Sequence, residues 1–389
     1  MIFYLQELNI KLKNIFPSIL FLIPLIPHFE IYGPYLHTDD LPILIFIPIA
    51  IAYIIKHKIF VLDMTGKYIF LFLIFIILQN LYINQSILSS DIYRFVFYLI
   101  LYIYMTNNEG QFNYFYIPLI LFMYLAVFAI TGYIFEINLG NDDYQTWNIG
   151  FNPSDLDYLK GRMNGFQAGG PNSFADLITI TAVYSLFKYK NSYALFIVPL
   201  ALIAVIVTYS RFSLIVLILF TFIKFIKDRL YAQLIVSVLV LSIAVIQLGV
   251  YERFMNDDNN GISDRLLMLE ASTDYFISSS LELKLIGNGS NQLIFESNNI
   301  YLYDEFEKNP YSYGPHNSFI FYLINYGIVG VALYILIFMT LFKRKLVFDF
   351  NLITLTVFFI LSLSTDLLHN HSVSWLLYIV YFSHIKSEK

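Results

Sequence analysis

The sequence predicts an all-α protein, a polytopic helical bundle built to sit in a membrane. Three observations carry this. Of its 389 residues 58% are hydrophobic and only 13% charged, with a mean hydropathy of +0.66; ordinary globular domains run about 45–50% apolar and about 25% charged. Apolar runs long enough to cross a bilayer core of roughly 30 Å recur along the whole chain. The two-residue alternation of a membrane barrel is missing. Since backbone groups in lipid must be bonded within their own segment, the runs are helices.

Polar punctuation divides the chain into about twelve spans, near 16–35, 41–55, 68–83, 90–106, 114–135, 173–188, 193–209, 212–226, 231–250, 318–341, 352–368 and 372–385. Lys and Arg set the orientation, because cytoplasmic loops keep the excess of them. Of 23 such residues, eight fall on one side: Arg94, Lys160, Arg162, Arg211, Arg253, Arg265, Lys284 and Lys308. The rest, among them Lys56, Lys58, Lys188, Lys224, Lys227, Arg229, Lys343 and Arg344, fall on the other. A twelve-span arrangement with both termini cytoplasmic reproduces this alternation. It leaves short basic connections inside and two long outer loops, 136–172 and 251–317. Lys11 and Lys13 precede an apolar run with no small-residue cleavage site, so that run reads as an uncleaved first span. The chain is expected to be one membrane domain with its chemistry in the outer loops.

Composition also excludes. Cysteine is absent, which removes disulfide and thiol chemistry. A net charge of −5 gives no nucleic-acid signal. Neither the GxxxxGK[ST] phosphate loop nor a GxSxG or HExxH hydrolase pattern occurs. The acidic pairs Asp39-Asp40, Asp142-Asp143 and Asp257-Asp258 and the Asp155-Leu-Asp157 triplet read as solvated loop residues before they read as Mg²⁺ ligands. Asp366, His369 and His371 fall short of a convincing zinc set. No metal and no cofactor are expected.

An arginine on the outer side runs against the charge bias, so each one needs a reason. The first outer loop ends RMNGFQAGGPNSFAD, residues 162–176. Pro171 suits a first helical turn, and Asn172 and Ser173 can serve backbone donors there. Arg162 is either solvated or, with Asn172, touches a ligand in a loop folded over the membrane face. Arg211, in TYSRFSLIV, stands at the outer junction of two apolar spans with almost no loop around it. It either snorkels to headgroups or faces inward and pairs its planar fork with an anion such as phosphate. In the long loop Ile262, Leu266, Leu269, Thr273 and Phe276 follow a helical stripe over 261–276, with Ser263 as a cap and Arg265 beside the stripe. A turn with Gly287 and Gly289 follows. The loop closes on GPHNSF, which puts His316 and Asn317 at the outer mouth of a span whose Gly327 and Gly330 permit close helix contact. Histidine accepts a proton near neutral pH more readily than any other side chain. Tyr301, Tyr303, Tyr311 and Tyr313 crowd the same loop end, where rings either pack the loop or stack on sugars.

Taken in order, these segments resemble the O-antigen polymerase and O-antigen ligase superfamily of bacterial inner-membrane glycosyltransferases. The matching positions are Arg162, Gly165, Pro171, Asn172 and Ala175; Ser210-Arg211; Arg265 on a helix; Gly287-x-Gly289; and Pro315-His316-Asn317 with Gly327 and Gly330. The resemblance covers roughly residues 160 to 335 and implies a GT-C-like bundle with a periplasmic active face. It implies a donor glycan on undecaprenyl diphosphate, with Arg211 and Arg265 on the diphosphate and His316 near the acceptor hydroxyl as base or orienter. Arg162, Asn172, Asn317 and Tyr313 are the further substrate contacts expected. Membrane lipids and a chain-length-regulating co-polymerase are the expected partners. Phe212 after Arg211, and the lack of a Trp after Arg265, depart from the ligase pattern. A polymerase is therefore the first expectation, a ligase acting on lipid A core the second, and a lipid-linked sugar flippase, for which mid-span charges are wanting, the third.

Overall fold

The computed structural model describes residues 25–26, 30–32, 36–37, 41–57, 62–83, 90–107, 117–139, 149–151, 162–165, 170–247, 269–270, 272–289, 317–343 and 350–364. Its helices are α1 (Leu41–His57), α2 (Met64–Ile83), α3 (Ser90–Asn107), α4 (Ile117–Ile134), α5 (Gly170–Lys188), α6 (Ala194–Ile206), α7 (Arg211–Lys227), α8 (Tyr231–Gln247), the short α9 (Leu281–Ile286), α10 (Ser318–Lys343) and α11 (Phe350–Leu361). Residues 272–278 are also helical. The apolar runs from 41–55 to 352–368 thus become helices, most of them within a few residues of the expected ends. The run at 352–368 stops early, with α11 ending at Leu361 and a turn over 362–364. The run at 16–35 needs a correction. Glu30–Tyr32 forms strand β1, antiparallel to β2 (Leu36–His37), so no helix extends to residue 35. The sequence reason is Pro27, Gly33 and Pro34, which remove donors and favour turns. The run at 372–385 lies outside the described residues.

Helices Met64–Ile83 and Ser318–Phe342 are long and apolar enough to cross a membrane; Leu44–Lys56, Phe95–Tyr104, Pro118–Ile134, Asn191–Ile206 and Leu352–Leu361 are shorter apolar helices. The surface agrees with that composition. Along α8, Ile235, Val238, Leu239 and Ile243 are each more than half exposed, a strip that water would penalise and acyl chains would not. The fold is that of a mostly helical bundle compatible with a membrane setting.

At its centre is α5. Every residue from Phe174 to Leu186 is buried, and α4, α6, α7 and α11 pack around it. A helix covered on all sides has no polar face to spare. A second group forms where α10 packs on α2 and α9. Aromatic rings join the groups: Phe319 of α10 meets Phe359 of α11 edge-on at 5.3 Å, while within α10 Tyr322 stacks on Tyr334 at 4.7 Å.

Hydrogen bonds between helix termini define one end of the bundle. Ser318 N donates to Ser362 O (2.9 Å), tying the start of α10 to the end of α11. Strand β3 (Gly150–Phe151) pairs with β4 (Met163–Asn164), and Met163 N donates to Val207 O (3.1 Å) after α6. The described part of the first long loop is thereby folded under the end of the bundle, with Met163 and Asn164 buried. At the other end Lys224, itself buried, pairs with Asp228 at 2.6 Å and lies over the Phe187 ring. The first of these ends is the one that the charge distribution assigns to the outside.

Candidate functional site

The end of α6, the start of α7 and the start of α5 meet in one polar knot. After Ile206 the chain turns through 207–209 and re-enters a helix at Arg211. Tyr209 takes φ +56° there, a left-handed conformation that costs a non-glycine residue about 1 kcal/mol or more. Surrounding bonds hold it. Tyr209 Oη lies 2.9 Å from Tyr133 Oη at the end of α4. Arg162 Nε donates to Thr208 O (3.0 Å), and its terminal Nη2 donates to Asn172 Oδ1 (2.8 Å) in the first turn of α5. Thr208 Oγ1 donates back to Val205 O (2.6 Å) and accepts Ser210 N at 3.3 Å.

Beneath this turn is a carboxylate within the first two turns of α5. Asp176, six residues into α5, is 0% exposed. Its Oδ1 accepts from Ser213 Oγ at 2.6 Å, and Ser213 Oγ lies 2.7 Å from Ser210 Oγ. Ser210 occupies the N-cap position of α7, yet its hydroxyl makes no capping bond to that helix among the described residues. It bonds to Ser213 instead, so a cap worth about 1 kcal/mol is forgone. The signals were present in the sequence: a lone Asp inside the apolar run SFADLITIT, and serines at i and i+3 around Arg211.

The residues singled out from sequence separate into groups. Arg162 and Asn172 are bonded to each other, and Arg162 braces the 207–210 turn. Arg211 is partly exposed and opens α7 directly after that braced turn. Asn317 caps α10: its Oδ1 accepts Phe319 N (2.9 Å) and Ile320 N (3.2 Å), while Nδ2 donates to Leu363 O (2.9 Å). His316, Arg265 and Tyr313 lie outside the described residues, as do Asp155, Asp157, Asp366, His369 and His371.

A second constellation, built from backbone, surrounds the Gly287–Gly289 turn. α10 is not continuous: Gly327 breaks it at φ +63°. Such a break frees the carbonyls of the preceding turn, which lipid cannot serve. The loop turn serves them. Asn288 N donates to Ile324 O and Gly289 N to Asn325 O, both at 2.9 Å. Gln79 of α2 adds its Nε2, which bonds Asn325 O at 2.6 Å and also Ile286 O. Gly287, at φ +75°, abuts the break so closely that a Cβ there would lie 2.4 Å from Asn325 O. The close contact expected of Gly327 is made with the last turn of α9, at Leu285, and with the Gly287 turn that follows it.

Fold and buried polar end together define a class, a mostly helical bundle compatible with a membrane, with a braced polar junction at one end. Within it, residues 196–335 match the family described as O-Antigen ligase. That stretch, which runs from α6 through α7 and the second long loop into α10, is similar to the O-antigen polymerase and ligase superfamily. No curated protein matches the chain. The family covers both polymerases and ligases, glycosyltransferase-like enzymes of O-antigen assembly in the membrane.

Proposed function

We propose that the protein is a polymerase of O-antigen or a related surface polysaccharide. It moves a growing glycan from undecaprenyl diphosphate to the non-reducing end of the next lipid-linked repeat unit, at the periplasmic face of the inner membrane and without a metal. The observation that carries this reading is Arg211. It opens α7 on a turn braced from α4, α5 and the first loop, inside the region that matches the family.

The chemistry follows from the setting. Outside the cytoplasmic membrane there is no nucleotide pool, so the activated sugar must bring its own leaving group, and a lipid-linked diphosphate does so. The acceptor hydroxyl gives its proton to His316 and attacks the anomeric carbon. The bond from that carbon to the diphosphate oxygen breaks, and undecaprenyl diphosphate leaves with the bonding electrons. Arg211 and Arg265 stabilise the charge that collects on the leaving oxygens. Losing one preorganised donor of this kind costs about 10²–10³ in rate, and a positioned base contributes about 10²–10⁴. Arg162 and Asn172 act on substrate from the base of the same turn, and Asn317 and Tyr313 from the mouth of α10.

Deleting the gene tests the reading. Single repeat units on the lipid core, restored to a ladder by the wild-type chain and not by Arg211→Ala, are expected. The family description favours the ligase as the second reading, and for a ligase the deletion leaves no glycan on the core. An unchanged ladder rejects both.

A further inference from the structure

The mechanism above leaves Asp176 unused. A carboxylate with no solvent exposure among apolar helices is costly unless its bonds are made, and in membrane-type bundles such residues are kept for function more often than for stability. We propose that Asp176 is a positioning residue for Arg211, acting through the Ser213 and Ser210 hydroxyls.

The geometry gives the route. Asp176 Oδ1 receives Ser213 Oγ at 2.6 Å, and Ser213 Oγ meets Ser210 Oγ at 2.7 Å. These two serines flank Arg211 on the first turn of α7. Ser210 N is in turn held by Thr208 Oγ1 at 3.3 Å, and Thr208 O by Arg162 Nε at 3.0 Å. The backbone that carries Arg211 is therefore pinned from the core side by Asp176 and from the loop side by Arg162. Between the two pins Tyr209 stays at φ +56°, a conformation that persists only where its surroundings over-determine it. Thr179, one turn below Asp176, adds Oγ1 to Ser213 O at 3.4 Å, so α5 grips the start of α7 at two levels. Without the Asp176 link the first turn of α7 gains freedom. The guanidinium then loses the fixed aim on which catalysis by orientation depends, where a misplacement of about 1 Å costs up to about 10²-fold.

The sign of the effect separates positioning from simple charge. A carboxylate acting only through its field repels a diphosphate, so its removal would tighten anion binding. A carboxylate that positions Arg211 does the opposite, and its removal weakens binding.

The inference rests on the reading of Arg211 as a diphosphate contact, and the test keeps the two apart. Full-length protein in nanodiscs is titrated with undecaprenyl diphosphate, comparing wild type, Arg211→Ala, Asp176→Ala, Ser213→Ala, Ser213→Thr and each Asp176 or Ser213 change combined with Arg211→Ala. Asp176→Ala and Ser213→Ala are each expected to weaken binding by about 10-fold, and to add nothing once Arg211 is gone, since coupled residues are non-additive. Ser213→Thr, which keeps the hydroxyl, is expected to bind as wild type. Binding that Asp176→Ala tightens, that both changes leave intact, or that they weaken equally with and without Arg211 overturns the positioning role and spares the functional reading. Binding that Arg211→Ala leaves intact overturns the functional reading itself. Should Asp176→Ala fail to accumulate in membranes, Ser213→Ala against Ser213→Thr decides alone.

Discussion

The two polar constellations of the bundle solve the same problem by opposite means. At the α5–α7 junction, side chains do the holding: a carboxylate, two serines, a threonine, two tyrosines and an arginine fix one tight turn. At the Gly287–Gly327 crossing, two chains approach because neither has a side chain, and backbone amides satisfy backbone carbonyls. The difference teaches what each can tolerate. A side-chain network can lose a member and keep the fold while losing aim, whereas a backbone crossing leaves no room for even one methyl group.

Substitution at the crossing is accordingly expected to do the most damage. In Gly327→Ala the new Cβ would sit 2.4 Å from Leu285 O at φ +63°, and in Gly287→Ala 2.4 Å from Asn325 O at φ +75°. Strain and overlap together are expected to cost about 3–5 kcal/mol, read as lost yield and early unfolding in detergent. Wild-type melting of both variants breaks the contrast. At the other constellation Arg211→Ala is expected to behave in reverse, melting as wild type while polymer formation falls about 10²–10³-fold; the sugar ladder and a melting curve on the same preparation show whether activity and stability separate. Gln79→Leu removes the side-chain donor that the crossing uses. Leaving Asn325 and Ile286 carbonyls short of a partner is expected to cost about 1–3 kcal/mol, measurable by chemical denaturation. The mildest change is Tyr133→Phe, which deletes one side of the hydroxyl pair with Tyr209. Polar contacts in membrane bundles average about 0.6 kcal/mol, so a small shift in melting and little change in the ladder are expected.

The contrast also explains which features could be read in advance. Apolar runs report helices because lipid permits little else, and all the helices from α1 to α11 except the short α9, which lies in the second long loop, stand where those runs are. Arg162 and Arg211 stood out because a positive charge on that side defies the bias of the remaining loops. Asp176 was visible as a residue but not as a buried one, since its partner Ser213 is 37 positions away and nothing local joins them. The left-handed turn at Tyr209 leaves no compositional trace, because tyrosine does not seek that conformation and only the bonds around it impose it. The sequence marks Gly327 as a point of close helix contact, but glycine in an apolar helix is ordinary, and its φ angle depends on a turn 40 residues earlier that no local pattern joins to it. Asn317 was legible as a polar residue at a helix mouth, and its work as the cap of α10 follows from the same position.

The break in α10 bears on how the chain is made. Gln79, Asn288 and Gly289, the groups that serve its loose carbonyls, all leave the ribosome before Ile324 and Asn325 do. Because synthesis runs from the N-terminus, the receiving cradle is already translated when the interrupted helix arrives. A circular permutant that delivers residues 318–343 first would have to store two bare peptide oxygens in hydrocarbon until their donors appeared, and on this account it should mis-insert.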